Sequence, residues 1–147
     1  MDILNSVAKV LRELGLESPQ INSKGVQVIR QDNLIEDNSN GLEVNIIGGS
    51  ISDSDFNSEQ VTTIPIQFTA VNTNQVKAYD DIWKIYNHFR TLPRKNNGGL
   101  ITFNSLDGSF AFQSCKISVT PQQIGTTEHE AYIYVTTVEF KIKNGGQ

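Results

Sequence analysis

Asp53, Asp55, Asn57 and Glu59 stand at alternate positions of one short segment. That is the spacing at which the opening half of an EF-hand loop presents its oxygen ligands to calcium. The second half does not follow: Ser58 occupies the sixth position, where glycine makes the sharp turn, and Ile64 the twelfth, where a bidentate glutamate belongs. No helical pattern flanks the segment. A solvated polar loop is therefore expected, with no metal on it.

Nucleophilic catalysis needs a thiol or hydroxyl with a base in hydrogen-bond reach. The candidates are Cys115 with His88 or His129. Cys115 alternates with Ile117 and Val119, the pattern of a small apolar filler in a strand. His88 falls on the wet side of a predicted helix, and His129 lies between Glu128 and Glu130, whose carboxylates favour its cationic form. One cysteine and two histidines cannot close a four-ligand zinc site, and no CxxC or HxxxH spacing occurs. Gly48-Gly49 follows a strand but lacks GxGxxG and a following helix, and no GxxxxGK[ST] is present, so no nucleotide cofactor is expected. Asp80 and Asp81 fall in the first two turns of a helix, where the macrodipole accounts for them. Phe103, Phe110 and Phe112 could stack bases, but Lys116 is the one cation of that hairpin, and cross-strand core pairs explain them better. No catalytic, cofactor-binding or metal-ligating residue is assigned, and the chain is not expected to be an enzyme.

The elements around these residues follow from periodicity. Ile3, Leu4, Val7, Ala8, Leu11 and Leu14 draw one apolar stripe on a helix closed by Gly15. Residues 26–30 have β character, a polar turn at 36–41 leads into a strand at 42–47, and 48–60 read as an exposed loop. Its isolated apolar residues, Ile51 and Phe56, have no core periodicity and are candidates to dock on a neighbouring subunit. Val61 to Val71 alternates, with Ile64, Ile66, Phe68 and Ala70 on one face. Pro65 cannot donate to a ladder, so an edge strand or a bulge is expected, and an edge is a natural place for another chain to pair.

Asn74 can cap a second helix carrying Tyr79, Ile82, Trp83, Tyr86 and Phe89, which Pro93 stops. Arg90, Arg94 and Lys95 sit at its C-terminal end, where cations suit the dipole. Lys95-Asn96-Asn97-Gly98-Gly99 turns the chain into 100–103, and Asp107-Gly108 is the strongest hairpin signal, between 100–103 and 110–119. Residues 121–127 read as a loop and 132–142 as the last strand, with Tyr132, Tyr134, Val138, Phe140 and Ile142 on one face. The sum is one α+β domain over residues 1–147, frayed from 143, with two main helices and a mostly antiparallel sheet. The element order is helix, three strands, helix, three strands.

Composition narrows the function classes. Twelve basic against sixteen acidic residues leave a formal charge of −4, the wrong sign for a duplex-wrapping domain. A single cysteine rules out an internal disulfide. Met1 and Asp2 lead directly into a helix with no signal-peptide pattern, and no apolar run approaches the roughly 18 residues that span a bilayer. Folding in the cytoplasm, with no membrane partner, is expected.

The pattern of elements resembles the small tail-completion proteins of long-tailed bacteriophages, the minor capsid proteins that include the tail terminators. The resemblance runs through Leu11-Arg12-Glu13-Leu14-Gly15-Leu16, Ile64-Pro65-Ile66-Gln67-Phe68, Tyr79-Asp80-Asp81-Ile82-Trp83-Lys84-Ile85-Tyr86 and Tyr132-Ile133-Tyr134. It implies a ring, commonly of six copies, that caps the head-proximal end of the tail tube and joins the head. Its partners would be itself, the tube protein and a head-connector protein, in a virion assembled in the bacterial cytoplasm. Ile51, Phe56 and Pro65 are the candidate subunit contacts. A non-catalytic adaptor domain shares these features, and a small hydrolase would have to use the side chains set aside above.

Overall fold

The computed structural model describes residues 3–16, 41–48, 50–54, 60–127 and 130–144, with backbone only for 50–54, Gln60 and Asn144. Helix α1 covers Ile3–Glu13 and buries Ile3, Ser6, Val7, Ala8 and Leu11. Gly15, at φ +80°, takes the left-handed turn that ends it. The expected strand at 26–30 lies outside the described residues.

Among the described residues, a five-stranded antiparallel sheet forms the centre of the fold. Its strands are β1 (Gly41–Ile46), β2 (Ser50–Ser54), β3 (Gln60–Asn72), β6 (Phe110–Thr126) and β7 (Tyr132–Asn144). Their order is β1-β3-β7-β6, with β2 continuing beside β3 where β1 stops. A separate hairpin joins β4 (Arg94–Asn96) to β5 (Gly99–Ile101). Helix α2 (Gln75–Phe89) begins as expected: Asn74 Oδ1 accepts from the N–H groups of Val76 at 3.1 Å and Lys77 at 3.4 Å. Two helices and antiparallel strands make the fold α+β.

The alternation in β3 places Ile64, Ile66, Phe68 and Ala70 in the core, facing α2. In register beside them stand Phe140, Val138, Thr136 and Tyr134 of β7, and all four are buried. Phe89 of α2 sits among these strands, with its ring centroid 5.3 Å from Phe68, 5.4 Å from Phe140 and 6.3 Å from Phe103. Phe103 in turn stacks on Phe110 at 5.8 Å and meets Phe112 edge-on at 5.5 Å. The three phenylalanines of 103–112 are thus core.

Five expectations need correction. The 48–60 stretch is not all loop, because Ser50–Ser54 pairs with Gln60–Thr63 of β3 through a bulge between Ile51 and Asp53. Alternating small polar residues gave that strand no apolar face to advertise. Pro65 does not mark an edge, since β3 lies between β1/β2 and β7. Its carbonyl accepts from Ile47 N–H at 3.0 Å, so the side on which its own N–H is missing faces the gap where β1 has ended and β2 has not begun. The proline is accommodated by an interruption in its neighbour.

The hairpin turn is Asn97-Gly98, at φ 50° and 83°, and not Asp107-Gly108. Both central residues have positive φ, as a type I′ turn requires. Asp107 Oδ1 instead accepts from Ser109 N–H at 2.8 Å and Ser105 Oγ at 3.0 Å, a local turn that consumes its bonding capacity. The same loop is tied to α1 by Leu106 N–H donating to Ser6 Oγ at 3.1 Å. Finally, 121–126 belongs to β6, a 17-residue strand that tolerates Pro121 and Gly125 through four register shifts against β7. Thr136 Oγ1 donates to Val119 O at 2.6 Å within that irregular stretch. β7 extends through Lys143 and Asn144, past its expected end.

Candidate assembly surface

Helix α2 has three faces. A residue advances about 100° around a helix, so Ala78, Ile82, Ile85 and Phe89 share one face, and all four are fully buried. Val76, Tyr79, Trp83, Tyr86 and Arg90 follow the same spacing about 120° away. Lys77, Asp81, Lys84 and His88 occupy the third flank. The sequence reading merged the first two series into one stripe, although Ile82 next to Trp83 and Ile85 next to Tyr86 are the signal that two stripes run side by side.

The aromatic flank is coherent and wet. Val76 is 66% exposed and Tyr79 47%, with Trp83 and Tyr86 partly buried. The rings touch in series: Tyr79 to Trp83 at 6.0 Å, Trp83 to Tyr86 at 5.1 Å, and Arg90 caps the row 5.5 Å above the Tyr86 ring. Tyr79 also meets Tyr134 of β7 edge-on at 5.9 Å. The flank therefore overhangs the β7–β6 side of the sheet, where Ile124 of β6 is 54% exposed. Tyrosine, tryptophan and arginine on a solvent-facing row are the residue types that dominate binding energy at protein interfaces.

A second apolar patch lies on the opposite margin. Ile46, the last residue of β1, and Ile47 just after it are 45% and 53% exposed, and Pro65 beside them is half-buried. Of the expected contact residues, Pro65 is therefore next to exposed apolar surface, Ile51 stands on β2 opposite Thr62, and Phe56 lies outside the described residues. Ile46 and Ile47 were missed. Two adjacent isoleucines in an alternating strand cannot both face the core, and that is the signal that could have found them.

The residues considered for chemistry are scattered or quenched. Cys115 packs against the core with its N–H on Leu92 O at 3.3 Å, and burial pushes its thiol pKa far up, so thiolate is disfavoured. His88 is half-buried, not on the wet side. Burial first, and the nearby Arg94 second, hold its pKa below the usual value, against an opposite pull from Glu13. His129 lies outside the described residues. Asp81 is buried on the charged flank, where Lys77 Nζ reaches it at 2.9 Å. Its carboxyl pKa is raised by burial, an effect Lys77 partly opposes. Among the described residues no group of three or more His, Cys, Asp and Glu side chains is placed to hold a metal. Asp53 falls in β2, and Asp55, Asn57 and Glu59 are outside the described residues.

At the helix end, Arg94 donates from one guanidinium nitrogen to His88 O at 2.7 Å and to Thr91 Oγ1 at 3.0 Å. Of the basic cluster, Arg94 thus serves a C-terminal carbonyl of α2. The far face of the sheet holds a polar depression of 290 Å³ lined by Thr63, Ser114, Lys116, Glu139 and Lys141. Among the described residues no helix is long and apolar enough to cross a membrane.

No curated protein matches the chain. A family model described as bacteriophage tail terminator protein matches residues 20–144, which takes in the whole sheet and α2. The chain belongs to the bacteriophage tail terminator protein family.

Proposed function

We propose that this protein is a non-enzymatic terminator that acts as a closed ring, possessing six copies, on the head-proximal end of the tail tube. There it stops tube growth and offers the surface to which the head-connector protein joins. The observation that carries this reading is the family match over residues 20–144. The exposed aromatic row on α2 and the apolar margin at Ile46 and Ile47 support it, because a protein that works by contact needs such surface. The whole chain, 1–147, acts as one unit, and Ile51 and Pro65, beside that margin, remain candidate contacts, as does Phe56. A net charge of −4 suits a ring through which nucleic acid must pass without adhering.

The test is a phage preparation lacking this protein. Its tails should be of uncontrolled length and fail to join heads, and adding the purified protein should restore both. Tails of normal length that join heads without it would refute the proposal.

A further inference from the structure

We infer that Asn97 is a site of spontaneous covalent modification, its side-chain amide being lost to attack by the backbone nitrogen of Gly98. An acidic residue is left at the tip of the β4–β5 ribbon.

The chemistry needs an asparagine carboxamide, a following backbone nitrogen that no side chain shields, and water. Asn-Gly pairs stand at 40–41, 97–98 and 144–145, and the fold treats the first two differently. Gly41 is buried as the first residue of β1, in register with Val71 of β3, so its nitrogen is fixed in the central sheet. Asn97 and Gly98 are both exposed. Asn96 with Gly99 is the last pair of the ribbon, which leaves the Gly98 nitrogen outside the ladder. Nothing stands within 4 Å of the place a Cβ would take at Gly98.

Closing the ring requires the backbone at Asn97 to rotate out of its left-handed turn, where φ is 50°. The ribbon permits this readily. It has three residue pairs and belongs to no larger sheet, and a lone two-stranded ribbon is marginal in water. Residues 95–100 are all exposed, so opening them uncovers little apolar surface and needs far less free energy than global unfolding. Freeing Gly41 would instead unpair β1 from β3 and uncover Leu42 and Val44, which are buried.

The step balances within the chain and water. The Gly98 nitrogen bonds to Asn97 Cγ and gives up its proton, the Cγ–Nδ2 bond breaks, and Nδ2 leaves as ammonia with that proton. Water then opens the cyclic imide. Addition at Cγ gives aspartate in an unaltered chain. Addition at the Asn97 carbonyl carbon gives isoaspartate, in which the backbone runs through Cγ and is one atom longer. Either product adds a negative charge near Lys95, and isoaspartate cannot keep the two-residue register of a type I′ turn. Arg94 stays tied to the end of α2 through His88 O, so the change is confined to the ribbon beyond it.

Trypsin separates the three pairs, because Lys95 and Lys116 bound one peptide, Arg30 and Lys77 another, and Lys143 precedes the last. The purified full chain is held in mildly alkaline buffer, sampled over several weeks, and mapped by mass spectrometry with fragmentation. The amide-to-acid change at Asn97 should run about tenfold or more faster than at Asn40. In urea concentrated enough to unfold the chain the two rates should converge, since folding is what separates them. Isoaspartate, detected by enzymatic methyl-ester labelling, should appear at Asn97. Gly98→Ala should slow the change there several-fold, because its methyl group hinders the attacking nitrogen, and the comparison in urea reads the same effect if the variant does not fold.

An Asn97 amide that survives the incubation, or equal rates at Asn97 and Asn40 in the folded chain, would overturn the inference. So would a Gly98→Ala chain that reacts as fast as the wild type, or a product of aspartate alone, which marks direct hydrolysis of the amide by water.

Discussion

Asp81 is the residue whose environment and charge disagree most. Burial raises its carboxyl pKa above the ordinary 3.8 and the Lys77 ammonium only partly offsets this. A raised folded pKa means that the ionised form costs stability above the folded value, and that the cost disappears below 3.8. Asp81→Asn should therefore be at least as stable as the wild type at pH 7 and indistinguishable from it at pH 3, by thermal unfolding. A variant equally destabilised at both pH values would show that the shape of the side chain matters and its charge does not. His88 has the opposite sign. Its folded pKa is lowered by burial and Arg94, so the stability held by the neutral ring is complete above pH 6.5 and is lost as pH falls toward the folded value. His88→Gln should flatten that part of the pH profile, and an unchanged slope would place its origin elsewhere. In the core, Phe89→Ala removes a ring that three other phenylalanines touch, and should cost about 3–5 kcal/mol in denaturant unfolding.

At the scale of elements, local signals were legible where a side chain commits the backbone by itself. Asn74 announced the start of α2, the alternation of β3 announced its buried face, and Gly15 announced the end of α1. Signals that depend on a neighbour were not. Pro65 reads as an edge residue until β1 and β2 are seen to leave a gap opposite it. Ser50–Ser54 becomes a strand because β3 begins at Gln60 and offers unpaired backbone to it. Asp107-Gly108 and Asn97-Gly98 are equally good turn dipeptides, and the tie of the 105–109 loop to Ser6 of α1, one hundred residues away, decides between them. The exposed row on α2 was visible as aromatic content but not as a surface, because its offset from the buried series emerges only once the sheet fixes which side is inside. The turn at 97–98 yields its own prediction. Gly98 has φ +83° and open space where a Cβ would stand, so Gly98→Ala should cost about 1 kcal/mol through backbone strain alone. Gly98→Asn should recover much of that, and equal losses from both would point to contact and not conformation.

For the whole molecule, membership of the tail terminator family supports the picture proposed above. In the proposed picture, copies of the chain form a ring that ends a tube by covering it. The measurement that tests it most directly is electron microscopy of intact particles carrying this chain labelled at its C-terminus. Label confined to the junction of head and tail, six copies to a particle, is the predicted result. Label spread along the tail, or particles without it, would contradict the account.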